Sequence, residues 1–463
     1  MKNMTLEKIA EACGGKYIGI EEKKTLYVKG VVIDSRLIED DYLFVPIKGE
    51  KVDGHDYIKS VLENGAAASL SEKKIEDCDK PYILVKSTHQ ALKDIAMYYR
   101  DQINIPVVGI TGSVGKTSTK EMIASVLEQK YNVLKTQGNF NNEIGLPLTL
   151  LRIRDTHQAA VVEMGISDFG EMHRLSKMAK PDVCVITNIG MCHLENLIDR
   201  DGVLRAKSEI FDFIKEDGFI ILNGDDDKLN TIHNIKNHIP MFYGIDGAES
   251  TSERLILARN IENLGLKGTK VSFQTPKGEM AVHIPIPGRH NVYNAMAAVG
   301  VGLSLGLSSE QIKKGIEEAK TIVGRTNIFE VHGVMVIDDC YNANPVSMKA
   351  SIDVLENGLA RKIAVLGDMG ELGEQEKQLH YSVGEYAAQK QIDTIFCAGE
   401  LSTEIAKGAI DENDWCEVFH FDTKEDMLPN LLDYIQEGDT VLVKASHFME
   451  FQEIVEAIRH LKG

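Results

Sequence analysis

The segment Ile105-Pro-Val-Val-Gly-Ile-Thr111-Gly112-Ser113-Val114-Gly115-Lys116-Thr117-Ser118 constrains this chain more than any other. An apolar, β-branched run breaks into a glycine turn ending in Gly-Lys-Thr, and a helical pattern follows over 119–130. Strand, tight turn and helix N-terminus together aim unpaired N–H groups and the positive end of a helix dipole at one point, which suits a phosphate. Lys116 adds a mobile charge for the terminal phosphates, and the Thr117 hydroxyl can ligate Mg²⁺. The turn is of a short Gly-x-x-Gly-Lys-Thr kind, because Ile110 stands where the first Walker glycine would be. Thr111, Gly112, Ser113, Val114, Gly115, Lys116, Thr117 and Ser118 are therefore read as an ATP cradle. A turn that merely connects strand to helix leaves the lysine and the two hydroxyls unexplained.

A chain of 463 residues exceeds what one core usually supports, so two or three domains are expected. No run approaches the ~20 apolar residues of a membrane span, and the start Met-Lys-Asn-Met-Thr-Leu-Glu-Lys lacks the apolar core of a signal peptide. A cytoplasmic protein without membrane insertion is the expectation. Seven scattered cysteines, none in a Cys-x-x-Cys pair, fit reduced thiols. Lysine plus arginine number 51 against 70 acids, a net charge of −19, which argues against nucleic acid and leaves anionic substrates to local positive pockets.

The pattern divides into three α/β blocks, 1–102, 103–309 and 310–463. The first reads as a small unit with helices over 5–13, 56–64 and 90–101 and strands over 29–34, 42–46, 66–70 and 82–86. The second opens with the cradle and alternates strands (159–164, 182–188, 218–222) with helices (171–179, 204–215), the signature of a parallel sheet covered on both faces. Ligands gather at the carboxyl ends of such strands. The third restarts the alternation at 334–337, 362–366, 394–397 and 440–443, a second doubly wound, Rossmann-like unit. No repeat, heptad array or low-complexity tract supports a filament or solenoid.

Glu163 stands where an apolar strand runs out, and His193 just past the next, both facing the cradle's mouth. Carboxylate oxygen suits Mg²⁺, whereas imidazole is an unusual ligand for so hard a cation. A solvated strand end and a loop-capping histidine are the alternatives. The loop Gly138-Asn-Phe-Asn141-Asn142-Glu143-Ile-Gly145 reads as a binding loop, or as Asx-turn and N-cap chemistry.

These segments, with Asn188-Ile-Gly-x-x-His193-Leu-Glu-Asn196, Ala206-Lys207-Ser-Glu-Ile-Phe211, Gly288-Arg-His-Asn-Val-Tyr-Asn-Ala295 and Asp338-Asp-Cys-Tyr-Asn-Ala-Asn-Pro345, together resemble the Mur ligases, in order and across essentially the whole chain. The resemblance implies three domains: an N-terminal UDP-sugar-binding domain, a central P-loop ATPase domain and a C-terminal Rossmann-like ligase domain. It implies ATP-dependent ligation of D-alanyl-D-alanine to UDP-N-acetylmuramoyl-tripeptide by a monomer, through an acyl phosphate. Lys116, Glu163, His193 and Lys207 become catalytic. Two Mg²⁺ ions are implied, one on Thr117 and Glu163, the other on His193 and a carbamylated Lys207. A lysine ammonium repels a dication, while its CO₂ adduct offers two oxygens. On helical spacing alone Lys207 reads equally as a solvated lysine among Arg205, Glu209 and Asp212.

By the same resemblance Arg325 reaches the phosphates, Asp339, Tyr341 and Asn344 close over the nucleotide, and Asn291 and Asn294 contact the adenine side. A capped helix with an apolar stripe explains Asn294 as well. Ser35, Arg36, Lys48, Gly49, Asp53 and His55 would hold the UDP end, although turn chemistry accounts for the glycines of Lys48-Gly49 and Asp53-Gly54. Asn141, Asn142 and Lys444 would contact the remaining substrate. Three departures from the family pattern stand out: Cys340 for a serine or threonine, Leu197-Ile-Asp-Arg for Leu-Gly-Ser-Arg, and Lys444-Ala-Ser-His447 for Lys-Gly-Ser-Arg. Competing readings are a folylpolyglutamate synthase or single-amino-acid ligase, a P-loop kinase or NTPase switch, and a catalytically silent binding protein.

Overall fold

A computed structural model describes residues 1–245, 255–413 and 415–461. The first sheet runs Lys16–Ile18, Tyr82–Leu84, Ala68–Ser71, Tyr42–Phe44, Gly30–Val32, antiparallel at its first pair and parallel thereafter. Its longest helix, Thr88–Arg100, starts where Ser87 Oγ accepts the Gln90 N–H, and buries Ala91, Leu92, Ile95, Ala96 and Tyr99 at helical spacing. That helix also fastens the first unit to the second. The Arg100 guanidinium, 3% exposed, donates to the carbonyls of Ala179, Ile103 and Lys180, and Tyr99 Oη donates to Ile153 O.

The central sheet has nine strands among the described residues, in the order Gly278–Ile284, Thr269–Thr275, Leu255–Asn263, Met241–Gly244, Phe219–Asn223, Val183–Ile186, Val107–Thr111, Ala159–Glu163, Val133–Lys135. Neighbours from Leu255–Asn263 to Val133–Lys135 pair in parallel, and the first two strands of that order add an antiparallel hairpin. Successive residues of the cradle strand feed opposite cores: Val107 packs towards the first unit, while Val108 and Ile110 pack against the helices Lys116–Leu127, Arg289–Ser304 and Ser309–Glu317. Both faces are thus covered, as an uninterrupted apolar strand requires. Val107–Thr111 precedes strands laid down on either side of it, so the turn after it opens at the point where strand order reverses.

Two features differ from the sequence expectation. The hairpin Thr269–Thr275 and Gly278–Ile284 makes the sheet mixed rather than purely parallel; its alternation of buried Val271 and Phe273 with outward Lys270 and Gln274 marks a sheet end. The helix Ser309–Glu317, just past the expected boundary at 309/310, packs Ile312 and Ile316 into the central core.

The third sheet runs Asn327–Val331, Val334–Asp338, Thr440–Lys444, Lys362–Gly367, Thr394–Ala398, Glu417–Phe421, antiparallel only at its first pair. Helices Pro345–Leu355, Glu376–Gln389 and Ser402–Glu412 cover one face, Lys424–Tyr434 and Gln452–Arg459 the other.

Candidate active site

Gly112 and Gly115 make the turn at φ +148° and +82°, where a side chain is strained, and a Cβ on Gly112 would lie 1.9 Å from Thr187 Oγ1. The turn is held from outside: Ser113 N donates to Asn188 O, Val114 N to Asn188 Oδ1, and Thr187 Oγ1 to Val114 O at 2.6 Å. Lys116, Thr117 and Ser118 open the helix, so their N–H groups have no partner within it and point at the cleft. Lys116 Nζ folds back onto Gly112 O at 2.7 Å, and burial draws its ammonium below the ordinary lysine value against the opposing pull of Glu163. Thr111 is fully buried, its hydroxyl without a hydrogen-bond partner.

Glu163, 3% exposed, lies across from the turn. Its Oε2 accepts Thr117 Oγ1 at 2.9 Å, its Oε1 accepts Asn141 Nδ2 at 2.9 Å, and its N–H donates to Thr136 Oγ1. The solvated-strand-end reading fails on that burial. Two hard oxygens, Thr117 Oγ1 and Glu163 Oε2, side by side at the phosphate end fit Mg²⁺, which takes one or two protein ligands and completes its shell with phosphate and water. No group of three or more His, Cys, Asp and Glu side chains able to hold a metal exists among the described residues. Asn141 thus positions the carboxylate, while Asn142 Oδ1 caps the Gly145–Leu150 helix through the Ile144 and Gly145 N–H groups.

His193 heads the short Leu194–Leu197 helix at φ +52°, and its Nδ1 lies 3.0 Å from Glu371 Oε2 of the third unit. That contact holds the Glu371 carboxyl below its usual range. Lys207 is 1% exposed, so the solvated-lysine reading also fails. Burial, then the nearby Lys116 charge, lower its pKa from 10.5 to about 8. Its charged neighbours in sequence are engaged elsewhere: Glu209 accepts the Gly170 and His173 N–H groups, and Asp212 pairs with the His173 ring.

The opposite wall comes from the third unit. An open cleft of about 740 Å³ is lined by Ser113 to Thr117, Gly138, Asn139, Asn141 and Glu163 on one side and by Arg325, Tyr341 to Asn344 and Ser347 on the other. Gly324, at φ +77°, donates its N–H to Asp338 Oδ2 and sends Arg325 into the cleft, where the guanidinium lies 4.1 Å from the Tyr341 ring centre. The other neighbour of Tyr341 is His447, ring to ring at 5.3 Å. Asn344 caps the Pro345–Leu355 helix through Ser347.

Several of the residues expected to contact ligands brace the cleft. Asp339, 8% exposed, accepts Thr326 N, Ser351 Oγ and Lys444 Nζ, the last at 2.6 Å. Lys444, expected on substrate, is 2% exposed and also donates to Asn342 O, tying the loop down. Asn294 links the helices: its Oδ1 accepts Thr119 Oγ1 at 2.8 Å and its Nδ2 donates to Asn291 Oδ1, while Asn291 Nδ2 donates to Pro287 O. Both asparagines are buried, with their hydrogen bonds made inside the protein.

Ser35, Arg36, Lys48, Gly49, Asp53 and His55 belong to the first unit and do not line this cleft; Ser35 and Arg36 follow the strand Gly30–Val32, and Lys48 and Gly49 follow its parallel neighbour Tyr42–Phe44. Arg36 forks onto Asp34, Asp53 accepts the His55 N–H and pairs with its ring Nδ1, and the backbones of Lys48 and Asp53 pair in an isolated antiparallel β-bridge. Gly138 and Asn139, part of the loop read as a binding loop, line the cleft; cleft residues given no role from the sequence are Asn342, Ala343 and Ser347, in or just beyond the 338–345 motif. His447, where the family pattern has an arginine, lies against the Tyr341 ring rather than among the residues lining the cleft.

Residues 27–107 match the description Mur ligase family, catalytic domain, residues 110–302 the Mur ligase middle domain, and residues 324–447 the Mur ligase, glutamate ligase domain. The UDP-N-acetylmuramoyl-tripeptide--D-alanyl-D-alanine ligase of Bacillus subtilis (strain 168) is 38% identical over 463 residues, 98% of each chain. MurF from Acinetobacter baumannii superposes at a TM-score of 0.88 with 34% identity over 98% of each chain. The MurF ligase of Thermotoga maritima, solved in complex with ADP, does so at 0.81 with 30% identity, covering 93% of this chain and 97% of that one.

Proposed function

The chain belongs to the Mur ligase family, and from that premise we propose that it joins D-alanyl-D-alanine to UDP-N-acetylmuramoyl-tripeptide with ATP, yielding the UDP-muramyl pentapeptide of peptidoglycan synthesis, ADP and phosphate. It is an ATP-dependent amide ligase. Support comes from the cleft itself: Gly115, Lys116 and Thr117 of one unit face Arg325, Tyr341 and Asn344 of another across a space lined by polar groups. A switch or plain hydrolase needs the first set without a third unit built to admit an amine.

Phosphorylating a carboxylate brings anion against anion, so positive charge and in-line positioning must be in place first. Lys116, the free N–H groups of the helix start and the Arg325 fork supply that charge from two directions. An oxygen of the tripeptide carboxylate attacks the γ-phosphorus and ADP leaves. The neutral dipeptide amine then attacks the acyl carbon of the mixed anhydride, and the tetrahedral adduct expels phosphate as the nitrogen gives up its proton to water or to the departing phosphate. Asn141 holds the Glu163 carboxylate in place throughout.

Mg²⁺, held by Thr117 and Glu163, would neutralise the β- and γ-phosphate oxygens. His193 and a carbamylated Lys207 would hold a second ion beside the acyl group. A pKa of about 8 supports the carbamate, since roughly a tenth of such amines are neutral near pH 7 and only the neutral nitrogen adds to CO₂. Formation of the N–C bond releases one proton and leaves an anion.

Exposed Arg36 and Lys48 on the first unit suit a nucleotide diphosphate, with Ser35, Gly49, Asp53 and His55 around them. The units are assigned as 1–102 for the UDP-sugar, 103 to the end of the helix Ser309–Glu317 for ATP, and the remainder for closure and ligation, in a cytoplasmic monomer. No helix among the described residues is long and apolar enough to cross a membrane. A mass-spectrometric product assay offering the lysine and the diaminopimelate UDP-tripeptides, each with ATP and D-alanyl-D-alanine, tests the proposal. A pentapeptide from at least one is expected; no dipeptide-containing product from either overturns it.

A further inference from the structure

His193 Nδ1 and Glu371 Oε2 meet at 3.0 Å across the seam between the central and third units. Glu371 is presented on a fixed loop. Met369 and Leu372 on either side are buried at 1% and 4%, Met369 N donates to His380 Nε2 at 2.8 Å, and Gly370 N donates to Ser446 Oγ at 2.9 Å. Glu371 itself holds φ +62°, a left-handed conformation that a residue with a Cβ disfavours, and in that conformation its side chain, 69% exposed, reaches the histidine.

A carboxylate held 3.0 Å from Nδ1 leaves Nε2 as the ring nitrogen that can meet a cation, the side of the imidazole opposite the carboxylate. Among the described residues Nε2 of His193 makes no hydrogen bond. We propose that Glu371 is a positioning residue of the ligase: from the third unit it fixes the His193 ring so that Nε2 is offered to a divalent cation only while the two units are closed. The inference rests on the ligase reading. Its consequence is a coupling between closure and cation capture, so that ATP bound to the central unit alone is not activated.

Glycine is the variant of choice, because φ +62° suits it and the fold loses no buried group. The full-length protein, with a non-hydrolysable ATP analogue and UDP-tripeptide, is titrated with Mn²⁺ and followed by electron paramagnetic resonance. Glu371→Gly is expected to weaken one Mn²⁺ site by about 10- to 100-fold. Turnover should fall at low Mg²⁺ and recover as Mg²⁺ is raised, while the melting temperature stays put. In a His193→Ala background the same substitution should cause no further loss, because Glu371 acts through that ring. Mn²⁺ affinity unchanged within about twofold, or an equal loss without His193, overturns the proposal. Since the Mn²⁺ titration needs no turnover, its result is independent of whether wild-type protein forms a dipeptide-dependent product, which is the test of the ligase reading.

Discussion

Replacing Lys207 by methionine should stabilise the protein while abolishing ligation. The side chain is 1% exposed and its ammonium makes no hydrogen bond or ion pair among the described residues. Burial, followed by the Lys116 charge, takes its pKa from 10.5 to about 8. At 1.36 kcal/mol per pH unit, keeping that ammonium inside costs the fold about 3 kcal/mol near neutral pH. Methionine has similar length and no charge, so Lys207→Met removes most of the cost. The pH dependence has a definite sign. Between pH 8 and 10.5 the unfolded chain still holds the proton that the folded chain has released, so wild-type stability rises with pH across that window and the advantage of the variant shrinks. Below pH 8 both states hold the proton and the full difference remains. Thermal unfolding in CO₂-depleted buffer measures it. For a unit of this size, about 3 kcal/mol corresponds to a melting point higher by roughly 6–12 °C near pH 7. A variant no more stable than wild type at that pH, or a difference indifferent to pH up to 9.5, would refute the reasoning.

Lys116→Ala should lower kcat by about 10²-fold or more while the circular dichroism spectrum and melting point stay close to wild type, since the ammonium bonds only to carbonyls of its own turn. Asn294→Ala leaves the Thr119 hydroxyl and Asn291 Oδ1 unpaired; it should cost about 1–3 kcal/mol in thermal unfolding and raise KM for ATP. Lys444→Met strands the buried Asp339 carboxylate and should destabilise the third unit by about 3–5 kcal/mol, with part recovered in the double variant Lys444→Met, Asp339→Asn. Chelating divalent cations should stop turnover and leave the melting point unchanged, because the described residues contain no cluster of metal-binding side chains that the fold depends on.

What the sequence made legible is what is local. The cradle could be read because its strand, glycine turn and helix start are contiguous, and Glu163 because a carboxylate ending an apolar run is conspicuous. Lys207 could not be read from its helix: its neighbours Glu209 and Asp212 suggest an exposed face, yet they turn to the Glu171–Ala179 helix and the lysine points inward. The family resemblance makes Asp339 a nucleotide contact, and its bracing role had no local signal. Its partner Lys444 lies 105 residues away, and only the pairing of Val334–Asp338 with Thr440–Lys444 brings the two together. The hairpin Thr269–Thr275 and Gly278–Ile284 passed unnoticed because the strand-helix alternation ahead of it set the expectation of crossovers. Period-two burial runs through Gly278–Ile284, where Met280, Val282 and Ile284 face inward.

The most direct test of the account follows oxygen. With both oxygens of the tripeptide's acceptor carboxylate labelled as ¹⁸O, attack of that carboxylate on the γ-phosphorus leaves one labelled oxygen in the released phosphate and one in the new amide. Phosphate carrying a single ¹⁸O, formed only when D-alanyl-D-alanine is present, is the predicted result. Unlabelled phosphate, released at the same rate without the dipeptide, would contradict the account.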